Sequence, residues 1–376
     1  MSEKRIYKAL RRHLDRQPVG YPRTISNDDI RLLKWFFNPD EAQLAMKLDY
    51  KPRTIEQIYK SLDNKELTRK ELEEKLDRMM KNGAIGYIEK EGEGYYCNIP
   101  LVVGMYEMQL PKLSPEFLRD FEKYTSKISF GLEILGTEIP QMRTIPVERS
   151  IRPEHHVADY DQVVKLIEES ESQPVVIECI CRKAAHMRGE KCKQTTRMET
   201  CMALGNAAKN TIIAGIGRVV SKDEAIEYLR KNEADGLVFQ PSNTRKAEFI
   251  CSCCGCCCGM LRMQKMLPRP VDFWSVNYQA AVDKELCTGC MTCEERCQVN
   301  AVAVDEKENV ASVDLYRCIG CGNCVASCPS NAISLFKKEK ENTPPETLED
   351  LYDIIMENKK TVFDRVKLAT RLILKR

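Results

Sequence analysis

Apolar and polar positions along the chain change period several times, and each change marks an element. Between residues 28 and 100 several short helices carry start signals. Asn38-Pro39-Asp40-Glu41 supplies an N-cap, a proline at the first helical position and an early acid. Thr54 with Gln57, and Thr68 with Glu71, form capping boxes, in which each side chain satisfies the other's backbone N–H. Leu72, Leu76, Met79 and Met80 then recur at helical spacing as far as Asn82-Gly83, a C-terminal stop signal. Residues 84–89 and 95–99 are rich in β-formers and flank Gly92-Glu93-Gly94, which predicts a hairpin. From Asp161 a helix through Val163, Val164, Leu166 and Ile167 leads to an apolar strand at 175–177. Ser221 with Glu224 opens a further helix through Ile226 and Leu229, and a strand follows at 237–240. Residues 301–304 and 311–313 alternate as a second short hairpin.

Three helices followed by a two-stranded hairpin resemble a winged helix, which sets a first domain at residues 27–104. Residues 105–160, interrupted by Pro111, Pro115, Pro140, Pro146 and Pro153, read as a connecting segment. Residues 161–267 predict an α/β domain whose strand ends carry cysteines, and Pro268 to Pro270 a linker. The tail, 339–376, is helical. Its stripe of Leu351, Ile354, Ile355, Val362, Phe363, Val366, Leu372 and Ile373, ending at Lys375-Arg376, fits packing on the protein's own body better than a membrane anchor.

Composition sharpens this picture at one point. The 376 residues, 43% hydrophobic and 30% charged with a formal net charge of +2, suit an ordinary globular chain of several domains with no bias toward polyanions. No apolar run approaches membrane-spanning length, and Met1 to Arg16 lacks the apolar core of a secretory signal, so the expected location is cytoplasmic. The outlier is cysteine. Of 19 cysteines, all but Cys97 lie between Cys179 and Cys328. An odd number without a signal peptide argues against a disulfide framework and for thiolate ligation of metal, in surroundings poor in oxygen.

Cys287, Cys290, Cys293 and Cys297 follow C-x2-C-x2-C-x3-C, and Cys318, Cys321, Cys324 and Cys328, closed by Pro329, repeat it. The repeat resembles the bacterial two-cluster ferredoxin domain over about residues 280–338, in which the fourth cysteine of each run ligates the other cluster. The resemblance implies two [4Fe–4S] clusters. One takes Cys287, Cys290, Cys293 and Cys328, the other Cys318, Cys321, Cys324 and Cys297. Gly289, Gly320 and Gly322 sit where the loops must turn sharply and bring N–H groups to sulfur. Gln298 departs from the pattern, standing where the first run would carry proline. Zinc gains nothing from a third cysteine at the same spacing in both runs. The fold class is therefore α+β and multidomain: a winged-helix-like N-terminal domain, a cysteine-rich α/β middle domain, and a ferredoxin-like two-cluster C-terminal module with a helical tail.

A second cysteine field precedes the ferredoxin motif. Cys179, Cys181, Cys192 and Cys201 make a four-thiol set, and Cys251, Cys253, Cys254, Cys256, Cys257 and Cys258 follow, with Gly255 and Gly259 loosening the backbone. Adjacent cysteines point in different directions, so the run cannot serve one small ion. The favoured expectation is at least one further iron–sulfur site drawn from both groups, with zinc in the first four as the alternative. Cys253-Cys254-Gly255 is similar to the CCG signature of heterodisulfide-reductase-type domains, but the surrounding spacing does not fit and no roles carry over. Together with Val103-Gly104-Met105-Tyr106-Glu107, Cys179-Ile180-Cys181-Arg182 and Ile250-Cys251-Ser252-Cys253-Cys254, the layout resembles a group of anaerobe proteins known by their 4Fe–4S dicluster domain. That resemblance implies no particular activity.

Other residues carry weaker signals. Cys97 fits a structural thiol, His186 a solvated loop residue, and His155-His156 offers a weak ligand pair. Arg182, Lys183 and Arg188 either offset cluster charge or solvate their loop. Gly215-Ile216-Gly217 lacks the third glycine of a dinucleotide fingerprint, and there is no Walker A sequence and no Gly-x-Ser-x-Gly elbow. Three functions follow: an electron-transfer protein serving a partner oxidoreductase, a redox-responsive regulator, or an oxidoreductase with substrate at the central cluster. The helix at 68–81 interleaves Arg69, Lys70, Lys75, Arg78 and Lys81 with Glu71, Glu73, Glu74 and Asp77, which favours a protein partner over DNA.

Overall fold

The computed structural model describes residues 2–62, 67–152 and 157–374. His155, His156, Lys375 and Arg376 lie outside the described residues. The chain divides into two compact units, the first made of residues 1–138, 206–218 and 352–369, the second of 139–205, 219–351 and 370–376.

In the first unit, α1 (Glu3–Leu14) buries Ile6, Tyr7, Leu10 and Leu14 along one face. Its many basic residues hide that spacing in the sequence. α2 (Asp28–Phe36) precedes α3 (Pro39–Ala45), which opens on the Asn38–Glu41 capping box. β1 (Arg53–Thr54) leads into α4 (Ile55–Lys60), and α5 (Arg69–Lys81) follows; both helices begin with reciprocal caps at Thr54 and Thr68. β2 (Gly86–Lys90) and β3 (Glu93–Cys97) form the hairpin, with β1 on the other side of β3. The turn is Glu91-Gly92, both at positive φ (53° and 79°), one residue earlier than the sequence suggests. Gly94 lies within β3, where a side chain would meet the Tyr87 ring.

Residues 105–160 are more than a connection. Pro115, which looks like a breaker, occupies the first turn of α6 (Pro115–Thr125), capped by Ser114, and α7 (Ile128–Leu135) follows. Phe117 of α6 packs edge-on against Phe36, and Phe121 stacks on Tyr106 at 3.8 Å.

The second unit begins at β4 (Arg143–Thr144) and contains α8 (Val163–Glu168), β5 (Val175–Glu178), α9 (Ile180–Met187) and β6 (Glu199–Ala203). The chain passes through α10 (Gly205–Ile213), which belongs to the first unit from residue 206, and β7 (Arg218–Val219), then continues in the second unit with α11 (Lys222–Ala234), β8 (Val238–Pro241), β9 (Phe249–Cys253) and α12 (Gly259–Met266). A five-stranded sheet runs in the order β7-β5-β6-β9-β8, with β5–β6, β6–β9 and β9–β8 antiparallel. The segment around Pro270 is not a free linker. It forms a short helical turn and then β10 (Ser275–Val276), which pairs parallel with β4. Arg143 and Asp161, each 1% exposed, form a buried ion pair at 3.3 Å, and the guanidinium also donates to the carbonyls of Ser242, Thr244 and Tyr160.

The ferredoxin portion has pseudo-twofold parts. β11 (Tyr278–Val282) pairs antiparallel with β14 (Ile333–Lys337), and β12 (Val302–Asp305) with β13 (Val310–Val313). Each cysteine loop ends in a short helix, α13 (Thr292–Arg296) or α14 (Asn323–Ser327). One hydrophobic core joins this portion to the sheet, bringing Val238, Leu261 and Cys253 together with Trp274, Ile319 and Leu335.

The tail forms α15 (Leu348–Glu357) and α16 (Val362–Leu374). Within the first unit the Tyr50 hydroxyl donates to Asp353 at 2.7 Å and Arg365 pairs with Glu133 at 2.5 Å. Phe363 and Val366 of the expected apolar stripe are exposed, while Ile355 is buried. Among the described residues no helix is long and apolar enough to cross a membrane.

Candidate metal centres

The ferredoxin loops are shaped by left-handed residues at matching positions. Gly289 and Gly320 follow the first cysteine of each run by two places, at φ 66° and 63°. A side chain on Gly289 would collide with Asn309, and one on Gly320 with the Tyr278 carbonyl. Gly322 (φ 75°) and Met291 (φ 63°) both sit at the N-caps of the following helices. Met291 is strained where its counterpart is glycine. Comparing the two runs position by position would have found it.

Cys287, Cys290, Cys293 and Cys328 line one pocket, together with Val304, Ala311 and Ile333. In the other set the electrostatic neighbours of Cys324 are Cys321, Cys318 and Cys297. Cys293 also acts on Cys324, so the two sets are adjacent. Backbone N–H groups point at sulfur: Ala311 at Cys287 (3.3 Å), Ala301 at Cys297 (3.1 Å) and Ala280 at Cys318 (3.4 Å). Such donors stabilise cluster sulfur and tune its potential. Burial pushes the Cys321 thiol up to about 12 and Cys324 well above the usual thiol range. Thiols this hard to ionise alone need a bound cation to become thiolates, which suits a cluster. Cys290 is the exposed cysteine of the group.

Gln298 has a use that its departure from the motif did not reveal. Its side chain is 4% exposed, and its Oε1 accepts from the Gly255 N–H at 2.9 Å. A side chain on Gly255 would collide with the Gln298 carbonyl. Proline at 298 could not make this link between the ferredoxin loop and the six-cysteine run.

The ten remaining thiols do not divide as their order in the sequence implies. Cys179, Cys181, Cys192 and Cys201 are not one set. Cys192 joins Cys254, Cys256 and Cys257, and all four sulfurs lie within 4.8 Å of one another. The separations are 3.6 Å (Cys192–Cys254), 3.8 Å (Cys192–Cys256), 3.5 Å (Cys254–Cys256) and 3.7 Å (Cys256–Cys257). The other six close a ring of neighbouring thiols. Cys179 contacts Cys181 and Cys201, Cys181 contacts Cys258, Cys201 contacts Cys251, and Cys253 contacts both Cys251 and Cys258. Sheet register produces this sorting. Cys201 on β6 lies opposite Ile177 of β5, while Cys251 and Cys253 share one face of β9. The turn after β9 then directs Cys254, Cys256 and Cys257 elsewhere.

Charge separates the flanking cations. Arg182, 2% exposed, donates from Nε to Cys192 at 3.4 Å and from Nη2 to Cys254 at 3.8 Å. Its Nη1 bonds Thr200 Oγ1 at 2.6 Å, which fixes the guanidinium in place. Lys183 instead pairs with Glu178 and Arg188 with Glu190, and His186 is exposed. Cys192 is held far below the ordinary thiol range by hydrogen bonds from Cys254 and Cys257. Cys254 is pushed up to about 11, first by its bond to Cys192. In the ring Cys179 is lowered by Cys181 and Cys201, with Arg182 assisting. Cys97 is buried at the end of β3, in the first unit.

A family model described as a 4Fe-4S dicluster domain matches residues 286–333, which contain both cysteine runs. A second model of the same description matches residues 317–364, which contain only the Cys318–Cys328 run. No curated protein and no solved structure matches the chain. The dicluster domain makes this an iron–sulfur protein, with electron transfer as the chemistry such domains perform.

Proposed function

We propose that the protein is an electron-transfer protein or redox subunit, passing single electrons through two [4Fe–4S] clusters and at least one further cluster in the ten-thiol field, to or from a partner oxidoreductase. The observation carrying this reading is the shared core, in which Cys253 and Cys258 of the field pack with Cys293, Cys318 and Cys324 of the ferredoxin loops. Cysteines of two metal-binding regions in one apolar core give electrons a short, dry route. Cys287, Cys290, Cys293 and Cys328 would hold one ferredoxin cluster, and Cys318, Cys321, Cys324 and Cys297 the other.

The winged-helix reading of residues 27–104 draws support from the β1-β3-β2 order and the helices before the hairpin. On α5, however, Arg78 pairs with Glu41 (3.1 Å), Lys75 with Asp40 (3.9 Å) and Lys70 with Glu74 (4.0 Å). Cations so engaged favour contact with protein over phosphate. Anaerobically purified protein should contain more iron than the roughly eight atoms of two cubanes, with matching sulfide. Dithionite reduction should give an additional paramagnetic signal. Iron stopping at about eight would remove the further cluster from this reading.

A further inference from the structure

The ten-thiol field contains two kinds of sulfur spacing, and spacing decides what a site can hold. A tetrahedral ion with metal–sulfur bonds of about 2.3 Å sets its four sulfurs about 3.8 Å apart, because a tetrahedron's edge is about 1.63 times its radius. Four of the six separations among Cys192, Cys254, Cys256 and Cys257 are 3.5, 3.6, 3.7 and 3.8 Å. The remaining two pairs, Cys192–Cys257 and Cys254–Cys257, lie within 4.8 Å. Four of the six edges match the tetrahedral value, and none exceeds 4.8 Å. A cubane binds each thiolate through a different iron and holds its four sulfurs farther apart. The ferredoxin sets of this same chain provide the comparison. Among the described residues, no three of their sulfurs lie within 4.8 Å of one another, whereas these four all do.

We propose that Cys192, Cys254, Cys256 and Cys257 bind one zinc ion, separate from any cluster. Zinc suits four thiolates in tetrahedral array, and at such a site divalent zinc binds more tightly than divalent iron. Four thiolates and one Zn²⁺ leave two negative charges. Arg182 offsets one, and the Lys193 N–H donating to Cys256 at 3.4 Å helps disperse the rest. The ion ties the turn after β9 to the loop carrying Cys192. The further cluster of the proposed function then falls to the ring of Cys179, Cys181, Cys201, Cys251, Cys253 and Cys258, where no three sulfurs are close enough to share one ion. This assignment deepens the proposed function, but the zinc site does not depend on it.

The test uses the full chain, purified anaerobically, with zinc and iron measured per chain in wild type and in the double variant Cys254→Ala, Cys257→Ala. Wild type should hold about one zinc, and the variant should lose at least nine-tenths of it while keeping its iron. Zinc-edge X-ray absorption on wild type should show four sulfur neighbours at about 2.3 Å and no iron neighbour. That measurement decides the matter even if the variant fails to fold. Iron lost in place of zinc, no zinc in wild type, or an iron neighbour at the zinc edge would each overturn the assignment. One zinc with only about eight iron atoms would keep this site and remove the further cluster; more iron with no zinc would do the reverse.

Discussion

Gln298→Ala tests whether the departure from the ferredoxin pattern fastens two metal-binding regions. In the folded chain the Gly255 N–H is buried, and its acceptor is Gln298 Oε1 at 2.9 Å. Truncation leaves that N–H without its side-chain acceptor, at a cost of about 1–3 kcal/mol. At 1.4 kcal/mol per tenfold, local opening of the loop becomes about 5- to 150-fold more frequent. Global unfolding is a poor assay, because proteins with tightly bound metals do not unfold in two states. Anaerobic hydrogen–deuterium exchange reads local opening directly. Peptides covering residues 252–259 should exchange faster by that factor, while those from β2 and β3 stay unchanged. Gln298→Pro, which restores the residue found after Cys328, should retain both ferredoxin clusters yet show the same fast exchange. Unchanged exchange at 252–259 in both variants would refute the link.

Cys290→Ser should diminish the paramagnetic signal of one ferredoxin cluster and leave the signal of the set around Cys318 in place; loss of both together would refute the grouping. Arg182→Met removes the donor to Cys192 and Cys254, and should weaken metal retention against a chelator about 10- to 100-fold, read as the rate of metal release. Arg143→Met leaves Asp161 buried without its cation, which should cost about 3–5 kcal/mol. Anaerobic hydrogen–deuterium exchange should show peptides around residues 143 and 161 opening more often, and unchanged exchange there would contradict that cost.

What the sequence made legible was local. The N-caps at Asn38, Thr54, Thr68 and Ser221 each involve residues three apart, and all four accept the expected hydrogen bond. The left-handed glycines of the ferredoxin loops follow from tight spacing between ligands. The sorting of the ten thiols was not legible, because it depends on β5, β6 and β9 meeting in one register. Neighbours in sequence such as Cys253 and Cys254 end in different sets for the same reason. Gln298 looked like a mere departure from the motif because its partner, Gly255, lies in another part of the chain. α6 was hidden by a proline that starts a helix as readily as it breaks one.

The run from Cys251 to Cys258 has a consequence for electron flow. A strand places Cys251 and Cys253 on one face, the turn sends Cys254, Cys256 and Cys257 to the four-thiol set, and Cys258 at the N-cap of α12 returns to the ring. Redox centres transfer electrons readily when their surroundings stay put as charge changes. A redox-inert ion in the turn would hold the ring's Cys253 and Cys258 still, on a backbone also fastened by Gln298. From those two residues the apolar core continues to Cys293, and the set containing Cys293 reaches solvent at Cys290. On the proposed reading, an electron held at the ring therefore has one continuous buried route to an exposed ligand. On that same reading, a partner oxidoreductase would approach the surface around Cys290, where Met291 is also exposed.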